Sequence, residues 1–238
     1  MANCWYSKQP KMPVVEVSCC YDDDYYLKLP LKSGRIAGIA RLLDLRGDED
    51  VCEIGCATGH FLAAIAPQVR TGTGIDISDA AIRAALQLKD QLDLHNIEFI
   101  KISATEYASD PDRQHRCHYV FLMDVTEHLD DDELHDVIDS SRALLRDDGR
   151  LVIHTPNLEY WLEQLKDKNI LRQLEGHIAV RNQAQYDRLL NVCGFRIDRQ
   201  ENLPHYRQPM RFVDSVLLPV PFIGSRFSSR LFLVASKR

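Results

Sequence analysis

Apolar positions along the chain switch between two periods. From Ser33, an N-cap residue type, Ile36, Ile39, Ala40 and Leu43 recur at the spacing of one helical face, and Gly47 with its acidic neighbours ends the pattern. Short apolar runs then predict strands at Val51–Ile54, Thr71–Ile75, Ile97–Ile102, Tyr119–Met123 and Arg150–His154. Helical patterns lie between them. Phe61–Ala66 is stopped by Pro67, a helix capped by Ser78 carries Ile82, Ala85 and Leu86 on one side, and Asp131–Leu145 is closed by Asp147, Asp148 and Gly149. A helix at Gln183–Val192, a strand near Phe195–Arg199 and a last strand at Arg230–Ala235 follow. Strand and helix alternating at these lengths predict an α/β fold, with one mostly parallel sheet and helices on both faces.

Three stretches break the rhythm of what reads as a single domain over residues 1–238. Residues 1–32 are irregular, with prolines at 10, 13 and 30 and the acidic-aromatic cluster Tyr21–Tyr26, and read as an N-terminal cap. Residues 157–182 and 203–229 are long for connections inside a compact domain. Ligands of open α/β sheets sit beyond the carboxyl ends of the strands, so both insertions are expected to cover an acceptor site.

The chemistry concentrates at the first strand-to-helix turn, Val51-Cys-Glu-Ile-Gly-Cys-Ala-Thr-Gly59. Gly55 and Gly59 let the backbone turn tightly against a ligand. A dinucleotide fingerprint wants glycine at the first, third and sixth positions of the turn, which here are Gly55, Ala57 and His60. It also seats a pyrophosphate where the Glu53 carboxylate would repel it, whereas a zwitterionic amino acid suits that carboxylate. Asp76 follows the second strand, at a position where a carboxylate accepts ribose hydroxyls.

These segments, followed by Met123-Asp-Val-Thr-Glu-His128 and by residues 144–157, resemble the successive motifs of class I S-adenosylmethionine-dependent methyltransferases over residues 33–200. Within that class they are most similar to the branch containing the ubiquinone-biosynthesis O-methyltransferases. The resemblance implies a Rossmann-like methyltransferase sheet and S-adenosyl-L-methionine as methyl donor. It implies that Arg35, Glu53 and the Gly55 backbone orient the methionine part and Asp76 the ribose. Cys56, Ala57, Gly59, Ile77, Ser103, Ala104, Met123 and Asp124 would line the rest of the donor site. Ala57 stands where the family has its middle glycine, Ser103 where an aspartate usually reaches the adenine, and His118 where aspartate is common before the fourth strand.

Asp124, Glu127 and His128 fall at offsets of zero, three and four beyond the fourth strand, so a helical turn there would project them from one side. Two carboxylates and an imidazole suit Mg²⁺, Mn²⁺ or Zn²⁺, with His177 as a fourth ligand. Equally, His128 with Glu127 suits general-base catalysis without a metal. Small-RNA 3′-terminal 2′-O-methyltransferases resemble the chain here, and their activity is metal-dependent.

Charge and composition narrow the acceptor. A formal net charge of −6 over 238 residues gives no general attraction to nucleic acid or anionic membrane. The leading expectation is therefore methyl transfer to an oxygen or nitrogen of a small molecule, such as a phenol, sugar or lipid-linked metabolite. An RNA ribose methyltransferase is the alternative, with Arg172, Arg181, Arg188, Arg207 and Arg211 as candidates for a basic patch. A non-catalytic partner that keeps only the fold is a third reading. No secretory signal or membrane span is read, and seven scattered cysteines without a CxxC pair suggest free thiols in the cytoplasm. Oligomeric state is not legible.

Overall fold

The computed structural model describes residues 33–173 and 176–238, so the expected N-terminal cap lies outside the described residues. The elements are α1 (Ser33–Ala40), β1 (Asp50–Ile54), α2 (His60–Ile65), β2 (Thr71–Asp76), α3 (Asp79–Gln91), β3 (Ile97–Lys101), α4 (Ala104–Ser109) and β4 (Cys117–Met123). They continue as α5 (Asp131–Leu144), β5 (Leu145–Pro156), α6 (Trp161–Asp167), α7 (Gln183–Val192), β6 (Phe195–Leu203), α8 (Met210–Leu217) and β7 (Arg230–Lys237). Among the described residues no helix is long and apolar enough to cross a membrane.

The seven strands form one sheet in the order β3-β2-β1-β4-β5-β7-β6. Strands β1 to β5 are parallel, and β7 runs antiparallel to both β5 and β6. Successive strand residues point to opposite faces, and both faces are apolar. Val51, Phe121, Val152 and Phe232 pack on one side with Phe61, Leu62 and Ile65 of α2 and Ile82 of α3. Cys52, Val120, Leu151 and Leu233 pack on the other with Leu134 and Ile138 of α5 and Tyr186 and Leu190 of α7. This two-sided burial accounts for the unbroken apolar run of β4.

Several boundaries differ from those read in the sequence. Helix α5 ends at Leu144 because Leu145 already pairs with Cys117, and pairing resumes only at Tyr119 with Arg150, so Asp147, Asp148 and Gly149 form a bulge rather than a helix stop. Strand β6 extends to Leu203, held by β7 along its length. Helices α4, α6 and α8 have no counterpart in the sequence reading. Residues 157–182 include α6, and residues 203–229 include α8 and a 3₁₀ turn at Gly224–Phe227.

Candidate functional site

In this sheet the chain runs outward from β1 to β3 and then returns to β4 beside β1, so the carboxyl ends of β1 and β4 face a crevice. Gly55 leaves β1 at φ 72°, and a Cβ there would lie 2.5 Å from Val125 Cγ2. Gly59 enters α2 at φ 74°, where a Cβ would meet the Phe99 ring at 2.4 Å. Any side chain would force the turn open. Ala57 takes the left-handed region too, at φ 46°, and its N–H donates to Asp76 Oδ2 at 3.0 Å. That bond offsets a conformation costing an L-residue about 1–2 kcal/mol.

Glu53 ends up 3% exposed, and its Oε2 has no hydrogen-bond partner among the described residues. Burial, then the charges of Asp76 and Asp124, push its carboxyl well above the ordinary range, against the opposing N–H of Leu62. Asp76 is itself raised, chiefly by burial, although the Ser78 and Ala57 N–H groups pull the other way. Each Asp76 oxygen accepts one backbone N–H, from Ala57 at 3.0 Å and from Ser78 at 2.8 Å, which leaves lone pairs for ligand hydroxyls. Three carboxylates around one glycine turn repel a pyrophosphate and favour a cationic ligand. An ammonium would complete Glu53. The residues therefore fit S-adenosylmethionine, whose zwitterionic amino acid carries an ammonium group and whose sulfonium is cationic.

Around this turn Cys56 and Ala104 are buried, Met123 is half-buried, and Ile77 stands 67% exposed beside Asp76 as an apolar wall. Ser103 is the N-cap of α4, accepting the Glu106 N–H at 3.2 Å. Its hydroxyl thus has a structural task that the aspartate comparison did not suggest. Arg35 lies in α1, with its side chain outside the described part. His118 sits within β4, and its Nδ1 accepts the Asp50 N–H at 3.1 Å.

The second group of expected residues lies beyond β4. A 3₁₀ turn at Thr126–His128 carries Glu127 and His128, while Asp124 precedes it at φ 57° and is not part of the turn. Ligand atoms of Glu127, His128 and His177 all lie within 4.8 Å of one another. Asp124, expected with them as a metal ligand, is placed apart: its Oδ1 is 3.0 Å from His154 Nδ1 and 3.2 Å from an Arg230 nitrogen. Glu127 is 1% exposed, accepts from the Thr155 hydroxyl at 3.4 Å, and lies 3.9 Å from the same guanidinium. Burial opposes the charge on Arg230, but Asp124 and Glu127 more than offset it and hold the guanidinium above its ordinary value.

His128 Nδ1 lies 2.7 Å from the Gly176 carbonyl. A carbonyl only accepts, so Nδ1 carries the proton and Nε2 offers a lone pair. Burial lowers the His128 pKa below 6.5, keeping the ring neutral. His177 stands edge-on to it, ring centroids 5.0 Å apart, and burial, with the neighbouring His128 imidazole and the Arg230 guanidinium, pushes its pKa down to about 3. The insertion is bound directly to this turn, because Ile178 and Ala179 N–H groups donate to the Glu127 carbonyl at 3.0 and 3.1 Å. Arg181, 4% exposed, donates to the carbonyls of Thr126, Ala179 and Leu129 and to Asp131. It is therefore removed from the proposed basic patch.

Arg230 is the residue that sequence reasoning missed. Because β7 is antiparallel, its first residue falls beside the carboxyl end of β5, opposite Pro156. Only the strand order brings it to Asp124.

The family model for the methyltransferase domain matches residues 31–200. No curated protein matches the chain. Among solved structures, a SAM-dependent methyltransferase from Aquifex aeolicus is 14% identical with a TM-score of 0.65, covering 92% of this chain and 100% of that one. Geranyl diphosphate C-methyltransferase from Streptomyces coelicolor, in complex with Mg²⁺, geranyl diphosphate and S-adenosyl-L-homocysteine, is 16% identical with a TM-score of 0.63, covering 87% and 79%. Mitomycin 7-O-methyltransferase is 16% identical with a TM-score of 0.67, covering 91% of this chain and 56% of that one. At such identities the structural likeness is one of fold, a Rossmann-like sheet. The family match covers the glycine turn, the carboxylates and the Glu127–His128 turn together, and the chain accordingly belongs to the methyltransferase-domain family and is an S-adenosylmethionine-dependent methyltransferase.

Proposed function

We propose that the protein transfers a methyl group to an oxygen or nitrogen of a small-molecule acceptor, a phenol, sugar or lipid-linked metabolite. The observation that carries this reading is the His128 ring, neutral and oriented by the Gly176 carbonyl, on the turn beyond β4. Such a ring takes the proton that an alcohol, phenol or amine must lose as its lone pair forms the new bond. S-adenosylmethionine, when bound, supplies an electrophilic methyl group on a cationic sulfur. In this assignment Glu53 receives the donor's ammonium, Gly55 opens the turn to its amino acid, Asp76 accepts the ribose hydroxyls, and Ile77 covers an apolar face. Asp124 and Arg230 fix the end of β4 through their ion pair, and Glu127 positions the turn that carries His128. The motif series from Met123 to Asn157 supports the ubiquinone-type O-methyltransferase branch.

The closeness of Glu127, His128 and His177 favours a second reading, a metal-dependent RNA ribose methyltransferase. One carboxylate and two imidazoles suit Mn²⁺ or Zn²⁺, which would polarise the acceptor hydroxyl. The fixed charge of Arg230 at 3.9 Å from Glu127 opposes a cation there. Burial of Arg181 also leaves fewer arginines for a polyanion.

The test is incubation with methyl-labelled S-adenosylmethionine and an extract of the source, with and without chelator, for the wild type and His128→Ala. Label in small-molecule or lipid fractions, indifferent to chelator and about a hundredfold slower in the variant, is expected. The wild-type rate should fall on the acid side below pH 6.5, because burial lowers the pKa of His128. Nuclease-sensitive label lost on chelation would move the assignment to RNA. Donor binding without any transfer would leave a non-catalytic partner.

A further inference from the structure

Helix α8 buries a carboxylate and exposes much of its hydrocarbon. Its buried residue is Asp214, whose Oδ2 accepts from the Tyr160 hydroxyl at 3.0 Å and from the His205 N–H at 2.9 Å. Its outward residues include Phe212, 69% exposed, with Val213 and Val216. The turn that follows adds Val220, Phe222 and Ile223, with Phe222 fully exposed. A surface helix of a water-soluble protein buries its apolar stripe and shows its polar side. Here the one fully buried side chain is a carboxylate, Met210 and Leu217 are half-buried, and the rest of the hydrocarbon faces outward. A contiguous apolar patch on one segment marks an interaction surface.

The charges around the patch indicate what it meets. Residues 203–229 contain three arginines, Arg207, Arg211 and Arg226, all exposed, and Asp214 is their only acid. This lies within a chain of net charge −6. Exposed apolar side chains on a segment that also carries exposed arginines complement a bilayer leaflet, with hydrocarbon entering the acyl boundary and arginines meeting anionic headgroups. Single-stranded nucleic acid would be met by a run of stacking rings, whereas valine, isoleucine and proline fill most of this surface. A two-fold dimer through the same patch would set the arginines of one copy against those of the other.

We propose that residues 203–229 dock the protein on an anionic membrane surface, lying in the interface rather than spanning it. The segment ends where β7 begins at Arg230, the guanidinium beside Asp124 and Glu127, so docking sets the candidate site next to the leaflet. On the reading that the acceptor is a small molecule, this narrows it to a lipid-linked one.

The test is flotation of the full chain with vesicles of phosphatidylcholine alone or mixed with phosphatidylglycerol, without donor or acceptor. Docking is therefore read independently of methyl transfer. The chain should float with the mixed vesicles and release at high salt. Phe212→Ser with Phe222→Ser should cut partition roughly a hundredfold, since two ring side chains lose their apolar burial. Replacing Arg207, Arg211 and Arg226 with Ala should remove the preference for phosphatidylglycerol. All these positions are exposed, so melting temperature and donor affinity should stay at wild-type values. A wild-type chain that stays at the bottom of the gradient overturns the proposal, whether light scattering then shows a monomer or a dimer that the serine variant breaks. Binding to the mixed vesicles that RNA displaces and the serine variant retains also overturns it.

Discussion

The Glu53 carboxylate sits at the end of β1 with one oxygen unpartnered among the described residues and two further carboxylates, Asp76 and Asp124, acting on it. Folding gains nothing from such a charge, so its presence points to a ligand that neutralises it. Because the folded pKa lies above the unfolded one, the proton on Glu53 favours the native state. That contribution is full below the unfolded value and is lost as pH rises through the folded one. Glu53→Gln keeps the shape and removes the ionisation. The variant without donor should match the wild type below about pH 4.5, the ordinary glutamate value, and gain on it as pH rises. At neutral pH the gain should reach about 1–3 kcal/mol. Donor affinity should fall about tenfold or more in the same variant. Melts across pH with calorimetry measure both, and equal stability at every pH would contradict a buried unpaired charge. Glu53 and Asp76 were legible in the sequence because each sits at the end of a strand that its own apolar run announces. Arg230 was not, since its partner Asp124 is 106 positions away and meets it only through the antiparallel β7.

At the scale of elements, the decisive packing is that of residues 157–182 against the turn at Thr126–His128. Arg181 holds it through the carbonyls of Thr126 and Leu129, and Gly176 orients His128 from the same insertion. Arg181→Ala removes those bonds but strands no buried charge, because its partner Asp131 is largely exposed. The expected cost is about 2–3 kcal/mol. Amide exchange at Ile178 and Ala179 should quicken, and kcat should fall more than donor affinity. Unchanged exchange there would mean that the insertion is held by other contacts. The sequence signalled the length of this insertion but not its anchor, since a lone arginine reads as solvated. Helix α4 escaped notice for another reason: six residues span too few turns to show a period. Helix α8 escaped because Pro209 and Pro219 flank it closely and read as loop.

For the whole molecule, the order β3-β2-β1-β4-β5-β7-β6 puts the glycine turn after β1 and the Asp124–His128 turn after β4 side by side at the point where the sheet reverses direction. Alternating apolar periods predict a mostly parallel sheet but not its order, because order depends on which crossovers pack, and the apolar run of β7 announces a strand without its antiparallel direction. A donor seated at the reversal touches both halves of the sheet, Glu53 and Asp76 on one side and the β4 end on the other. Binding there should therefore stabilise the folded chain as a unit rather than one loop. At a hundred times the dissociation constant the gain is about 2.7 kcal/mol. For a chain of this size that corresponds to a rise of roughly 5–10 °C in the melting temperature. Asp76→Ala removes an acceptor of the Ala57 and Ser78 N–H groups as well as the ribose contact, so its own melting point should drop modestly while its transition stays cooperative. The measurement is a thermal melt of both proteins with and without S-adenosylmethionine. A shift in the wild type that is lost in the variant places the donor at the reversal point; a full shift in Asp76→Ala would put the donor elsewhere, because no other carboxylate at that strand end could replace the contact.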